Sequence, residues 1–183
     1  MQNHKIINGN IIETVLPKDI LSEIDQWKTE CDKIKNSPLK LLKQHDNVGT
    51  HTNDFQVSVP SFLIENSYWL AYTLRMCASI FGGEHRNYYI RKWDGHFDGY
   101  DVWINYAYKD NYNPEHNHAG FLSGVIYYEN RNDPTIFKEN NFYYYGKKGH
   151  MILFLSNQMH KVEKQKEEYE RITFAFNINK KEY

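Results

Sequence analysis

Apolar positions recur at helical spacing in two stretches of the first half of the chain. In residues 18–35 (KDILSEIDQWKTECDKIK), Ile20, Leu21, Ile24, Trp27, Cys31 and Ile34 form one stripe with charges between them, which predicts an amphipathic helix. Pro17 suits its start, and Pro38 stops it. Residues 61–81 carry Leu63, Trp69, Leu70, Leu74, Cys77 and Phe81 on a second stripe, predicting a helix closed by Gly82-Gly83. Beyond Gly83 the segments become short, aromatic and β-branched. Residues 88–93, 102–108, 122–128, 135–137, 141–145, 151–155 and 171–178 read as strands. Asp94-Gly95, Asn113-Pro114 and Asn132-Asp133-Pro134 mark turns between them. GVIYY, MILFL and ITFAF are apolar on both faces, so those strands need cover on both sides. Helices followed by many close strands predict one α+β domain over 1–183: a mainly helical support over 1–84, and a double sheet or small barrel over 85–183. The charged run 161–170 (KVEKQKEEYE) reads as a solvated loop before the last strand.

Composition removes several classes of function. Across 183 residues, 22 Lys and Arg face 23 Asp and Glu, a net charge of −1. No basic field favours a nucleic-acid polymer, and no apolar run approaches the roughly 20 residues of a membrane span. The start, Met1-Gln2-Asn3-His4-Lys5, lacks the apolar core of a secretory signal. Cys31 and Cys77 form no C-x-x-C pair, which argues against disulfide scaffolds, zinc ribbons and Cys-ligated clusters and suits a reducing cytosol. Phosphate-loop, dinucleotide-loop and nucleophile-elbow motifs are missing, and Ser123 in LSGV reads as an ordinary strand serine. The 9 histidines leave room for a metal.

Two of them stand in Pro114-Glu115-His116-Asn117-His118, ahead of a predicted strand, and His160 follows a later one. Residues two apart in extended chain project to one face about 7 Å apart, so His116 and His118 can converge on one ion. His160 would complete a triangular face and leave the opposite positions open. By itself H-x-H with a distant histidine is a weak pattern, equally readable as polar loop histidines. Further on, Arg171-Ile172-Thr173-Phe174-Ala175-Phe176 alternates, with Arg171 and Thr173 opposite Ile172, Phe174 and Phe176. An arginine turned into an apolar interior needs an anion, either a carboxylate ligand gripped by its planar fork or an Asp or Glu at a sheet edge.

Trp103-Ile104-Asn105, HNH at 116–118, LSGVIYY at 122–128, GHMILFLS at 149–156, His160 and RITFAFN at 171–177 together resemble the iron(II)- and 2-oxoglutarate-dependent oxygenase family of phage and bacterial genomes. The resemblance covers about 103–178 and implies a double-stranded β-helix, or jelly roll, braced by the two N-terminal helices. It implies Fe(II) on His116, His118 and His160, with 2-oxoglutarate as cosubstrate held by Arg171, Thr173 and Asn105. Tyr106, Tyr108 and Tyr127 become candidate pocket residues. The expected reaction is O2-dependent hydroxylation with release of succinate and CO2, in the cytoplasm (of the host, if a phage carries the gene). The substrate could be a small molecule, a nucleotide or a protein side chain. One departure stands out: the wider superfamily places a carboxylate where this chain has His118, and Glu115, an odd residue away, points elsewhere. His96-Phe97-Asp98 is a rival ligand pair, although Gly95 and Gly99 bracket it like a turn. Two other readings stay open: a three-histidine cupin-like dioxygenase without 2-oxoglutarate, and a non-catalytic jelly-roll binding module.

Overall fold

The first apolar stripe forms the helix that its spacing predicts. A computed structural model describes residues 4–37, 56–92 and 99–181; in it α1, Lys18–Lys35, starts directly after Pro17 and buries Ile20, Ile24, Trp27 and Cys31. The second stripe is split into α2, Ser61–Glu65, and α3, Tyr68–Phe81. Capping explains the break. Ser67 Oγ accepts a hydrogen bond from the Leu70 N–H at 3.1 Å, and the Glu23 carboxylate of α1 accepts from the N–H groups of Tyr68 and Trp69, both at 2.9 Å. A helix start needs partners for these donors, and here side chains supply them.

The strands divide between two antiparallel sheets. The larger runs in the order β1 (His4–Ile7), β2 (Ile11–Val15), β10 (His150–Leu155), β7 (Leu122–Glu129), β12 (Arg171–Lys180), β5 (Gly99–Ala107) and β3 (Gln56–Pro60). A short β4, Tyr88–Tyr89, joins the end of β12. The smaller sheet runs β6 (Asn113–His116), β11 (His160–Val162), β8 (Thr135–Phe137) and β9 (Phe142–Tyr144). This is the α+β double sheet that the sequence predicts. The three strands read as apolar on both faces, β7, β10 and β12, stand side by side in the middle of the larger sheet. The first 84 residues are less purely helical than expected, since they supply β1, β2 and β3.

Helices cover one face of the larger sheet and the smaller sheet covers the other. On the helix side, Trp27 of α1 and Trp69 of α3 meet edge-on at 5.0 Å, with Phe174 6.0 Å from Trp27 and Phe176 4.8 Å from Trp69. Phe176 lies over Gly124 of the neighbouring strand, where any Cβ would strike its ring. Between the sheets a second cluster gathers Ile11, Tyr127, Phe137, Tyr144, Ile152 and Phe154. Burying aromatic groups of this size on both faces fixes the sheet against its two neighbours. The alternation read in 171–176 is observed: Ile172, Phe174 and Phe176 join the helix-side core, while Arg171 and Thr173 face the space between the sheets.

Candidate metal centre

Strands β6 and β11 pair antiparallel with His160 directly opposite His116, so the two rings approach with centroids 4.3 Å apart. His118, two residues on, returns to the same side, with its ring 4.9 Å from His116 and 5.2 Å from His160. Each residue offers a ring nitrogen within 4.8 Å of the other two. Imidazoles on one ion at about 2.1 Å stand no more than about 4.2 Å apart, so a small closure of the rings completes the face.

Backbone carbonyls choose the tautomers. His116 Nδ1 lies 2.7 Å from the Pro114 carbonyl and His160 Nδ1 lies 3.0 Å from that of Gln158. A carbonyl only accepts, so Nδ1 carries the hydrogen in each ring and Nε2 keeps the lone pair a metal needs. All three rings resist protonation. Burial pushes His160 down to about 3 and His118 down to about 4, the neighbouring imidazoles adding to it, and burial also lowers His116. Near neutrality the cluster is therefore uncharged and ready to ligate. Phe154 and Phe137 hold the His160 ring at 4.8 and 6.0 Å, and Trp103 lies 5.8 Å from His118. Glu115 points away from the cluster, as strand alternation requires, and pairs with Lys138 at 2.7 Å. His96 and Asp98 lie outside the described residues.

The same cavity contains the other three sequence candidates, Arg171, Thr173 and Asn105. Adjacent strands carry them: Gln56 pairs with Asn105 and Asn105 with Thr173 across β3, β5 and β12. Gln56 Nε2 donates to Asn105 Oδ1 at 2.8 Å, and Asn105 Nδ2 donates to Thr173 Oγ1 at 3.2 Å. The Thr173 hydroxyl hydrogen has no acceptor among the described residues, which leaves it for a ligand. Arg171 is 5% exposed, and no described carboxylate comes within ion-pair reach of it. Its Nε donates to Asn130 Oδ1 at 3.0 Å, while Asn130 Nδ2 donates to the Gly146 carbonyl at 2.8 Å, fixing which way that amide points. Burial lowers the proton affinity of the guanidinium, and Tyr127 lies beneath it at 6.0 Å. A buried cation whose terminal nitrogens lack described partners is a site for an anion.

Several readings change. Tyr106 lies outside the cavity, its hydroxyl donating to Asp32 at 2.9 Å, and Tyr108 is 45% exposed beside Lys35 and Glu170. Ser123 reaches the cavity wall, but its hydroxyl is engaged by Asn177 and Ser156. The run 161–170 is not wholly solvated: Gln165 and Tyr169 are buried, and Gln165 joins the cavity wall. Gln56, Gln165 and Asn130 were not anticipated. An uncharged amide in a loop or short strand has no spacing signature.

No protein-family model matches the sequence, and no curated protein matches it. Solved structures do match the fold. A prolyl-4-hydroxylase from Pseudomonas putida superposes with a TM-score of 0.58 at 12% identity, covering 94% of each chain. The viral collagen prolyl hydroxylase vCPH from Paramecium Bursaria Chlorella virus-1, solved with 2-oxoglutarate, gives 0.51 at 15% identity over 93% of this chain and 96% of its own. EctD from S. alaskensis with bound Fe gives 0.54 at 13% identity over 98% and 80%. Over most of its length, then, the chain has 2-oxoglutarate–Fe(II) oxygenases as structural neighbours, and its fold is their double-stranded β-helix.

Proposed function

We propose that the protein is an iron(II)- and 2-oxoglutarate-dependent oxygenase in which His116, His118 and His160 hold the metal and Arg171, with Thr173 and Asn105, holds the far carboxylate of 2-oxoglutarate. The observation that carries this reading is the shared cavity. Three imidazoles that resist protonation converge at one end, two of them with tautomers fixed by backbone carbonyls, and a buried guanidinium with no described carboxylate within ion-pair distance waits at the other. The neighbours add support: one was solved with Fe and another with 2-oxoglutarate. Iron in such a face supplies O2 chemistry, splitting 2-oxoglutarate to succinate and CO2 while oxidising, most often hydroxylating, a substrate C–H bond.

The chain's own residues bind, orient and desolvate. The Pro114 and Gln158 carbonyls keep two lone pairs aimed inward. The Arg171 fork takes two carboxylate oxygens at once, the Thr173 hydroxyl can donate a third bond, and Asn105 braces Thr173. Trp103, Phe154 and Phe137 keep water from the imidazoles.

The all-histidine face also suits a dioxygenase that works without 2-oxoglutarate, and product analysis separates the two. With Fe(II), O2 and 2-oxoglutarate, wild type is expected to form succinate even without its substrate, slowly, and His116→Ala to form none. Oxygen uptake unaffected by 2-oxoglutarate would favour the rival. A purified chain that takes up no transition metal would favour a binding module.

A further inference from the structure

The hydrogen-bonded row Gln56–Asn105–Thr173 has a direction, and 2-oxoglutarate, bound as in the oxygenase reading on which this inference rests, would set it. Backbone carbonyls pin the rings of His116 and His160 and the amide of Asn130. No described backbone group pins this row. Both amides can turn and a hydroxyl both gives and accepts, so the row can run either way. In the structure it runs toward Thr173: Gln56 Nε2 donates to Asn105 Oδ1 at 2.8 Å, and Asn105 Nδ2 donates to Thr173 Oγ1 at 3.2 Å. Only that direction leaves Thr173 a hydrogen for a carboxylate. Reversed, the Thr173 hydroxyl would donate to Asn105 and turn lone pairs toward the ligand. The observed direction leaves an orphan at the other end. Gln56 is 5% exposed on the cavity wall, and its Oε1 is buried with no donor.

We propose that Gln56 is a positioning residue that fixes the direction in which Thr173 donates to 2-oxoglutarate, and that its free Oε1 receives an N–H or O–H of the substrate. Ionised 2-oxoglutarate brings acceptors only, so it cannot satisfy that oxygen. Two more oxygens on the same wall, Gln165 Oε1 and Asn113 Oδ1, are buried without a donor. The Gln165 amide is pinned, since its Nε2 donates to the backbone carbonyls of Glu167 and Tyr169, and its free atom is therefore an acceptor as well. A substrate made of acceptors alone would leave all three oxygens unpaired, at the cost of a buried polar group each. One that carries an amide or alcohol donor would not. A donor at Gln56 Oε1 also opposes reversal of the row, so that substrate and 2-oxoglutarate strengthen each other's binding through Asn105 and Thr173.

The test is calorimetry of 2-oxoglutarate binding to the full chain loaded with Zn(II), which takes imidazole ligands without oxygen chemistry. Four proteins are compared: wild type, Gln56→Met, Thr173→Val and the double variant. Thr173→Val should bind about tenfold more weakly, the loss of one hydrogen bond to a charged group, and Gln56→Met about threefold. The double variant should match Thr173→Val within about twofold, because without the hydroxyl the direction of the row no longer matters. Losses that add, as a merely structural role for Gln56 would give, overturn the proposal, and so does a Gln56→Met that binds like wild type. A second measurement needs no variant: the side-chain amide protons of Gln56 and Asn105 in wild type should exchange with solvent more slowly once 2-oxoglutarate is bound, and unchanged exchange counts against the relay. For the substrate end, acetamide at about 100 mM should tighten 2-oxoglutarate on wild type about twofold, whereas N,N-dimethylacetamide, which has no N–H, should not. Equal effects of the two amides, or none from either, overturn the donor assignment. A wild type that takes up Zn(II) but no 2-oxoglutarate sinks the oxygenase reading itself, whereas one that binds both and gives additive losses sinks this inference alone.

Discussion

The two sheets differ in what holds them and in what they hold. The larger is built of strands up to 10 residues long, and aromatic packing covers both of its faces. The smaller is built of strands of 3 or 4 residues, yet it carries His116 and His160 as a register pair. Long apolar strands supply stability, and the cavity floor inherits their rigidity: Arg171, Thr173 and Asn105 project from the same β-strands whose other side anchors the helices. Short strands supply little burial. Their pairing needs only to set two rings opposite each other, with two carbonyls and two phenyl rings to hold them. Stability and metal chemistry are thus separable, and substitutions can break them independently.

The largest separation should come from Phe174→Ala, which empties a buried site between Trp27 and Tyr128. A loss of about 3–5 kcal/mol in urea unfolding is expected, with metal affinity of the folded protein little changed. His160→Ala is the converse. It should weaken iron binding by at least about a hundredfold in calorimetry, since removing even a residue that orients a ligand costs 10–100-fold. The far-ultraviolet circular dichroism of the larger sheet should remain. Arg171→Ala should leave iron bound but weaken 2-oxoglutarate by about 10–100-fold, the cost of charge-assisted hydrogen bonds, as read by the saturation of succinate formation.

The smallest effect is acid sensitivity of the metal-free protein. His160 and His118 have folded values of about 3 and 4, below the ordinary 6.5. Below pH 6.5 the unfolded chain therefore binds more protons than the native one, and stability falls as pH drops toward those values. By pH 5 each ring should account for about 1–2 kcal/mol of that loss, and the urea midpoint of His160→Asn should decline less steeply between pH 7 and 5 than that of wild type.

The same contrast governs what could be read from the chain. The larger sheet is legible because long strands have room for a period: 171–178 and 122–128 fall inside β12 and β7, and residues 18–35 coincide with α1. Strands β6 (Asn-Pro-Glu-His) and β11 (His-Lys-Val) are too short and too polar to show any period. Their histidines stand out by residue type and by family resemblance instead. The β1–β2 hairpin does carry a local signal. Asn8-Gly9, with φ of 43° and 79°, lies between two isoleucine pairs, the usual mark of a tight hairpin. The break between α2 and α3 has little local signature because two of its three capping bonds go to Glu23, 45 residues upstream of Tyr68, and no local window contains both.

That one cavity joins a three-imidazole metal face to an arginine-held dicarboxylate is tested most directly by anaerobic titration with Fe(II) and 2-oxoglutarate, monitored in the visible region. Wild type should develop the weak charge-transfer band of an iron-chelated 2-oxo acid and bind iron more tightly with 2-oxoglutarate than without. His160→Ala should give no band, and Arg171→Ala should reach the same band only at 2-oxoglutarate concentrations at least about tenfold higher. A wild type without the band, or an Arg171→Ala titration that overlays it, would contradict the assignment.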